Sequence, residues 1–155
     1  MQKYLIFGAT GSVGSNLATQ LSQANKEIHL IGRNDVELEK LSSELGCDYT
    51  ALDILSDDIY EKLKNKFDDI DLAGIAYCIG SIDLKPLEKT NKEDFQKCLK
   101  LNFFPIIEVI KAFQDNLKKN KGSIVLFSTV AVQRGFTNHS IIASVKGAIE
   151  GLTVS

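Results

Sequence analysis

The sequence lacks a block of lysine or arginine, a long apolar run and a paired set of cysteines. Each absence removes a class of function. With 18 basic against 20 acidic residues and a net charge of −2, nothing marks a nucleic acid or an anionic membrane as the partner. The apolar runs are too short for a membrane span. The N-terminus enters a strand-like run, Tyr4-Leu5-Ile6-Phe7, with no signal peptide ahead of it. Cys47, Cys78 and Cys98 are odd in number and far apart, which argues against a disulfide framework and a zinc site and for a reducing cytoplasm. His29 and His139 are too few to build a metal centre, so no metal is expected. The chain also has no internal repeat, low-complexity segment or linker.

What is present suits one globular domain over residues 1–155, long enough for a real core, with 44% hydrophobic and 25% charged residues. Apolar runs predict strands near 3–7, 27–32, 47–52, 72–78 and 123–128. Helical periodicity predicts helices near 12–23, 35–45, 57–66, 91–118 and 139–155. Such alternation with short connections predicts an α/β fold, a doubly wound parallel sheet with helices on both faces. Asn34 with Glu37, and Thr90 with Glu93, have capping-box spacing. Ser56 precedes Asp57 and Asp58, acids suited to a first helical turn. Pro105 lies inside the longest helix and should free the carbonyl of Leu101, bending the helix near Asn102.

The first strand runs into GATGSVG, with Gly8, Gly11 and Gly14 ahead of a helix. A glycine loop between strand and helix lets the backbone approach a pyrophosphate, which then rests on the positive end of the helix. The residues that would cradle it are Gly8, Thr10, Gly11, Ser12, Val13 and Gly14. The second strand ends in Gly32-Arg33-Asn34. An arginine there suits the 2′-phosphate of NADP, whereas an acid would suit the 2′-hydroxyl of NAD. NADP is therefore favoured, with Asp35 as the acid that an NAD reading would need. Asp53, after the third strand, is a candidate neighbour of the adenine or an ordinary loop acid.

Taken in order, several pieces resemble the short-chain dehydrogenase/reductase superfamily: GATGSVG, the pair Asp53-Ile54, Asn102 in the long helix, GSIVLFSTVA at 122–131 and the lysine of SVKGAIEGL. The resemblance covers the whole chain. It implies a seven-stranded Rossmann fold that continues beyond residue 155, so a C-terminally truncated chain is expected. It also implies a nicotinamide cofactor, a small carbonyl or alcohol as substrate, and a homo-oligomer, dimer or tetramer, paired through the long and terminal helices. Gly80, which closes the segment YCIG, is expected at the cofactor.

The resemblance implies catalytic positions as well. The lysine that holds the nicotinamide ribose is Lys146, the serine position is Thr129 with Ser128 beside it, and the asparagine is Asn102. The tyrosine that serves the family as general acid/base is replaced by Ile142, four residues before Lys146 and so on the same helix face. Positioned proton transfer is typically worth ~10²–10⁴-fold in rate, so another donor is needed for ordinary turnover. Tyr77, late in the fourth strand, is one candidate. His139, expected in the first turn of the terminal helix, is the other, because imidazole titrates near neutral pH. The alternative is a non-catalytic protein that binds NADP as a sensor or structural ligand.

Overall fold

The computed structural model describes residues 2–155. Five strands are β1 (Lys3–Phe7), β2 (Glu27–Gly32), β3 (Asp48–Ala51), β4 (Leu72–Tyr77) and β5 (Ser123–Leu126). Six helices are α1 (Ser12–Gln23), α2 (Asp35–Leu45), α3 (Ile59–Phe67), α4 (Lys92–Asn102), α5 (Phe104–Asn120) and α6 (Ser140–Val154). Short 3-10 turns lie at Leu87–Lys89 and Val130–Val132. The chain forms two compact units, one of residues up to Ile79 with Glu108–Val125, the other of Gly80–Ile107 with Leu126–Ser155.

The first unit holds the sheet, in the order β3-β2-β1-β4-β5. β1 pairs in parallel with β2 and β4, and β2 with β3. Leu5, Ile6 and Phe7 of β1 are fully buried, as befits a central parallel strand covered on both faces. Phe7 packs 6.0 Å from the ring of Tyr77 and 6.4 Å from that of Phe113, and Phe113 lies 5.9 Å from Phe67. Removing one such aromatic from water contributes about 1.5–3 kcal/mol. This is the predicted doubly wound α/β sheet, a Rossmann fold. Its strand order reverses at β1, which lies between β2 and β4, and ligands of such sheets bind beyond the carboxyl ends of the strands at that point.

Several local expectations needed adjustment. β5 is an edge of the sheet, and Val125 is half exposed. α3 begins at Ile59, after an uncapped Asp58 whose carboxylate takes the Ser56 hydroxyl proton bond, so Glu61 is its first-turn acid. Asn34 does cap α2, but only by accepting from the Glu37 amide at 3.3 Å.

The second unit is built on α4 and α6. The capping box of α4 sits one residue later than its sequence spacing indicated. Asn91 accepts from the Asp94 amide at 3.0 Å, and Asp94 accepts from the Asn91 amide at 2.9 Å. The Lys85 ammonium also binds Asp94, at 2.6 Å, which favours the acid there over Glu93. Cys98, Ile141, Ile142 and Val145 form the unit's core, with Phe95, Leu99 and Phe103 packed against it. The predicted helix over 91–118 is two helices. Phe103 leaves helical geometry at φ −126 and ψ −57. Pro105 has no amide to offer the Leu101 carbonyl, so the helical bonding is interrupted there.

Candidate active site

In the first unit the loop after β1 is drawn tight by its own backbone. The amides of Gly8 and Ala9 donate to the Ile31 carbonyl at 2.8 and 3.1 Å, and the Gly11 amide donates back to the Gly8 carbonyl at 3.0 Å. Gly8 has φ +77, a left-handed conformation that favours glycine. A Cβ on Gly14 would lie 2.2 Å from the Gly8 carbonyl oxygen, so the helix could not approach the strand this closely with any side chain there. A Cβ on Gly11 would meet that same oxygen at 3.3 Å, and Gly11 is exposed with φ −73. Gly11 is the N-cap of α1 and offers no side-chain cap. The amides of Ser12, Val13 and Gly14 at the start of α1 consequently have no partner within the helix. Thr10 is half-buried, and Ser12 and Val13 are exposed. Ile79 closes the loop from the β4 side, its Cγ1 reaching to 2.9 Å of where a Gly8 Cβ would be.

Arg33 lies just past β2, exposed and without an ion pair among the described residues. Asp35 is the first residue of α2. Asp53 stands two residues past β3, where its carboxylate accepts from the Leu55 amide at 3.0 Å, a turn-forming bond. Ile54 beside it is buried. Tyr77 is buried at 2% exposure, its hydroxyl has no hydrogen-bond partner among the described residues, and burial pushes its phenol well above the usual range.

In the second unit Gly80, Asn102 and Lys146 come together. A Cβ on Gly80 would lie 3.0 Å from Asn102 Oδ1 and 3.7 Å from Lys146 Nζ. Asn102 is fully buried. Its Oδ1 accepts from the Ser81 amide at 3.1 Å, and its Nδ2 donates to the Cys98 carbonyl at 3.1 Å and to Cys98 Sγ at 3.5 Å. The carboxamide thus braces the turn at Gly80-Ser81. Lys146 is half-buried and has no carboxylate or other hydrogen-bond partner among the described residues. Burial holds its ammonium below the usual lysine range, while Cys98 pulls the other way.

Other predicted positions are engaged elsewhere in this unit. Thr129 caps the 3-10 turn, accepting from the Ala131 amide at 3.3 Å. Ser128 donates to Glu150 Oε1. Ile142 is 3% exposed, one of the core residues packed with Cys98. His139 is the residue ahead of α6 rather than part of its first turn. Its Nδ1 donates to the Thr137 carbonyl at 2.7 Å and its ring lies 5.4 Å from Phe136. It lines a pocket of about 270 Å³ with Leu87, Phe136 and Ala143, a lining that includes neither Ile142 nor Lys146. A donor role at Ile142 has no geometric support in that placement. Sequence reading missed Cys98 and Ser81. The spacing of Cys98 four residues before Asn102 was the available signal, since it puts both on one helix face.

Among the described residues no group of side chains could hold a metal ion, and no helix is long and apolar enough to cross a membrane. A family model described as enoyl-(acyl carrier protein) reductase matches residues 8–155. L-xylulose reductase of Bos taurus is 27% identical over 159 residues, covering 98% of this chain and 63% of that protein. The Homo sapiens protein of the same description is 26% identical with the same coverage. Among solved structures, a short chain dehydrogenase/reductase family protein superposes with a TM-score of 0.89 at 21% identity, covering 98% of this chain and 65% of that one. A serine dehydrogenase from Escherichia coli gives 0.88 at 17% identity, covering 99% and 74%. The chain spans about 63% of the length of the curated relatives it matches.

Proposed function

The chain belongs to the short-chain dehydrogenase/reductase superfamily, and we propose that it is an NADP(H)-dependent oxidoreductase acting on a small carbonyl or alcohol with a proton donor other than tyrosine. The observation that carries this reading is the start of α1. Three amides without helical partners face an approach that Gly11 leaves open, and Gly8 and Gly14 leave no room for side chains. That cradle fits a pyrophosphate, held by hydrogen bonds and by the helix dipole. Arg33, exposed and unpaired among the described residues, would take the 2′-phosphate, and Ile54 and Asp53 would flank the adenine. Lys146 would bind the nicotinamide ribose, and Gly80 admits it because a side chain there would crowd Asn102. When bound, the nicotinamide supplies or accepts the hydride. Thr129 or Ser128 would orient the substrate oxygen.

Paired titrations test the cofactor assignment. NADPH should bind at least tenfold more tightly than NADH, and Arg33→Ala should erase most of the difference. Equal affinities in the starting protein would contradict it. The second reading, an NADP-binding sensor without turnover, draws on Ile142, whose hydrocarbon side chain is buried where the family places its acid. NADPH binding without oxidation by any carbonyl in a broad panel would favour it. A cytoplasmic homo-oligomer belongs to the same proposal. Phe104 is half exposed and available to such an interface, whereas Phe113 is 1% exposed and serves the core instead. Light scattering on full-length protein at micromolar concentration checks the oligomer, and a monomer would count against it.

A further inference from the structure

We propose that the Lys146 ammonium itself delivers the proton to the substrate oxygen, replacing the acid that Ile142 does not provide. This inference rests on the oxidoreductase reading above.

The argument is one of placement and of elimination. Four groups could serve. Tyr77 is shut inside the first unit with a buried phenol of raised pKa. The His139 ring is tied to Thr137 and lines a pocket that includes neither Ile142 nor Lys146. The Cys98 thiol is 6% exposed within the apolar core of the second unit, and burial raises its pKa. Lys146 is the remaining acid, half-buried on the face of α6 that Ile142 shares. Its Nζ lies 3.7 Å from where a Gly80 Cβ would be, and no carboxylate among the described residues neutralises it. Asn102 and Ser81 hold the turn that forms this wall, so the lysine meets a fixed surface rather than a mobile loop.

An ammonium so placed is a stronger acid than an ordinary lysine, because burial disfavours its charge. Cys98, from α4, is the one titratable group whose charge opposes that shift, and Asp83 is felt by Cys98 in turn. In reduction, the hydride adds to the carbonyl carbon with its electron pair, and the C=O π pair moves to oxygen. The oxygen takes one proton from Lys146 Nζ, which becomes a neutral amine and is recharged by water. The sum is carbonyl plus reduced nicotinamide plus a proton, giving alcohol and oxidised nicotinamide. In a tyrosine enzyme of this family the lysine assists the acid; here it is the acid.

The test uses full-length protein and two readouts. The first is direct titration of Lys146 in the protein without cofactor, by NMR of 13C-methylated lysines, with its signal identified by loss in Lys146→Arg, or in Lys146→Gln should the arginine variant not fold. The second is kcat/KM for NADPH oxidation against pH with a reactive aldehyde. The expected result is a lysine titrating below the other lysines, and a rate that falls as pH rises through that same ionisation. Arginine keeps the positive charge for the ribose but does not release a proton. Lys146→Arg should therefore bind NADPH within a few-fold of the wild type and lose ~10²-fold or more in kcat/KM. Retained turnover in Lys146→Arg, a rate break that does not coincide with the Lys146 ionisation, or a Lys146 that titrates like the surface lysines would each overturn the assignment and leave the oxidoreductase reading standing. A wild type that binds NADPH and oxidises it with no carbonyl would overturn both. A wild type that binds no NADPH would sink the underlying reading at its first step.

Discussion

The start of α1 and the start of α6 are made from opposite materials. At α1 nearly everything that matters is backbone: three glycines, a bare N-cap and free amides. At α6 it is side chains, with His139 tied to Thr137, Ile142 sunk among Cys98 and Val145, and Lys146 left unpaired among the described residues. A backbone site tolerates drift in all its other residues, because only the absence of a Cβ is required at the close contacts. A side-chain site changes its chemistry with one substitution, and in the proposed reading Ile142 is such a change. In that reading the first site is intact and the second altered.

The largest effect expected on this contrast comes from crowding the backbone site. Gly14→Val puts a branched side chain where a single Cβ would already be 2.2 Å from a carbonyl oxygen. Overpacking commonly costs ~1–3 kcal/mol, and a clash with backbone should reach or exceed the upper end. Loss of nucleotide binding in that variant would reflect a damaged loop. Gly11→Ala is the sharper probe. Its methyl faces the exposed approach and strains only one 3.3 Å contact, so stability should change by less than ~1 kcal/mol while NADPH affinity falls about tenfold. Calorimetry and titration on the pair separate folding from binding. A Gly11→Ala protein with unchanged affinity would break the comparison on its backbone side.

Asn102→Ala probes the other side. It removes the acceptor of the Ser81 amide and leaves a gap in a fully buried place. An unsatisfied buried group costs ~1–3 kcal/mol. Denaturant unfolding should show that loss, and an unchanged midpoint would mean that the turn at Gly80 holds itself.

The fold was legible because apolar runs and period-3.6 patterns survive any change that keeps apolar residues in place. β1, β2, α1 and α2 fall where the pattern put them. Ends were less legible. Thr90 and Asn91 both suit a helix cap, and the ion pair of Lys85 with Asp94, formed across the preceding loop, accompanies the choice of Asn91. The split at Phe103 followed from Pro105, whose missing amide is a property of one residue. The glycine loop was legible for the same reason. His139 was placed wrongly because Asn138, at φ +65, turns the chain just before α6, a conformation that spacing does not reveal. Cys98 was read only as one of three unpaired cysteines, and not as a neighbour of Asn102, because an isolated thiol carries no motif.

Two smaller effects test whether side chains of the first unit serve packing alone. His29 is buried against Phe67, its Nε2 within 2.8 Å of Thr50 Oγ1, and its pKa is lowered from 6.5 to about 4, chiefly by burial and then by Lys3. The unfolded chain binds this proton more readily than the folded one. Stability from His29 is therefore present above pH 6.5 and is lost as pH falls through the window down to about 4. The loss should be on the order of 2 kcal/mol, and His29→Gln should flatten it in urea midpoints measured across that range. Tyr77→Phe should show the smallest effect. It deletes a buried hydroxyl without a partner, so the variant should be as stable as the wild type or up to ~1 kcal/mol more stable, with turnover unchanged. A large loss of turnover there would make Tyr77 the proton donor and overturn the assignment to Lys146.

The central claim is a chain that keeps a nucleotide cradle and has an altered acid. Its most direct test is one fluorescence titration of NADPH into full-length wild type and Gly11→Ala, followed in the same cuvette by addition of a reactive aldehyde. The account predicts saturable binding in the wild type, about tenfold weaker binding in the variant, and NADPH oxidation on adding aldehyde. No binding by a folded wild type would contradict it.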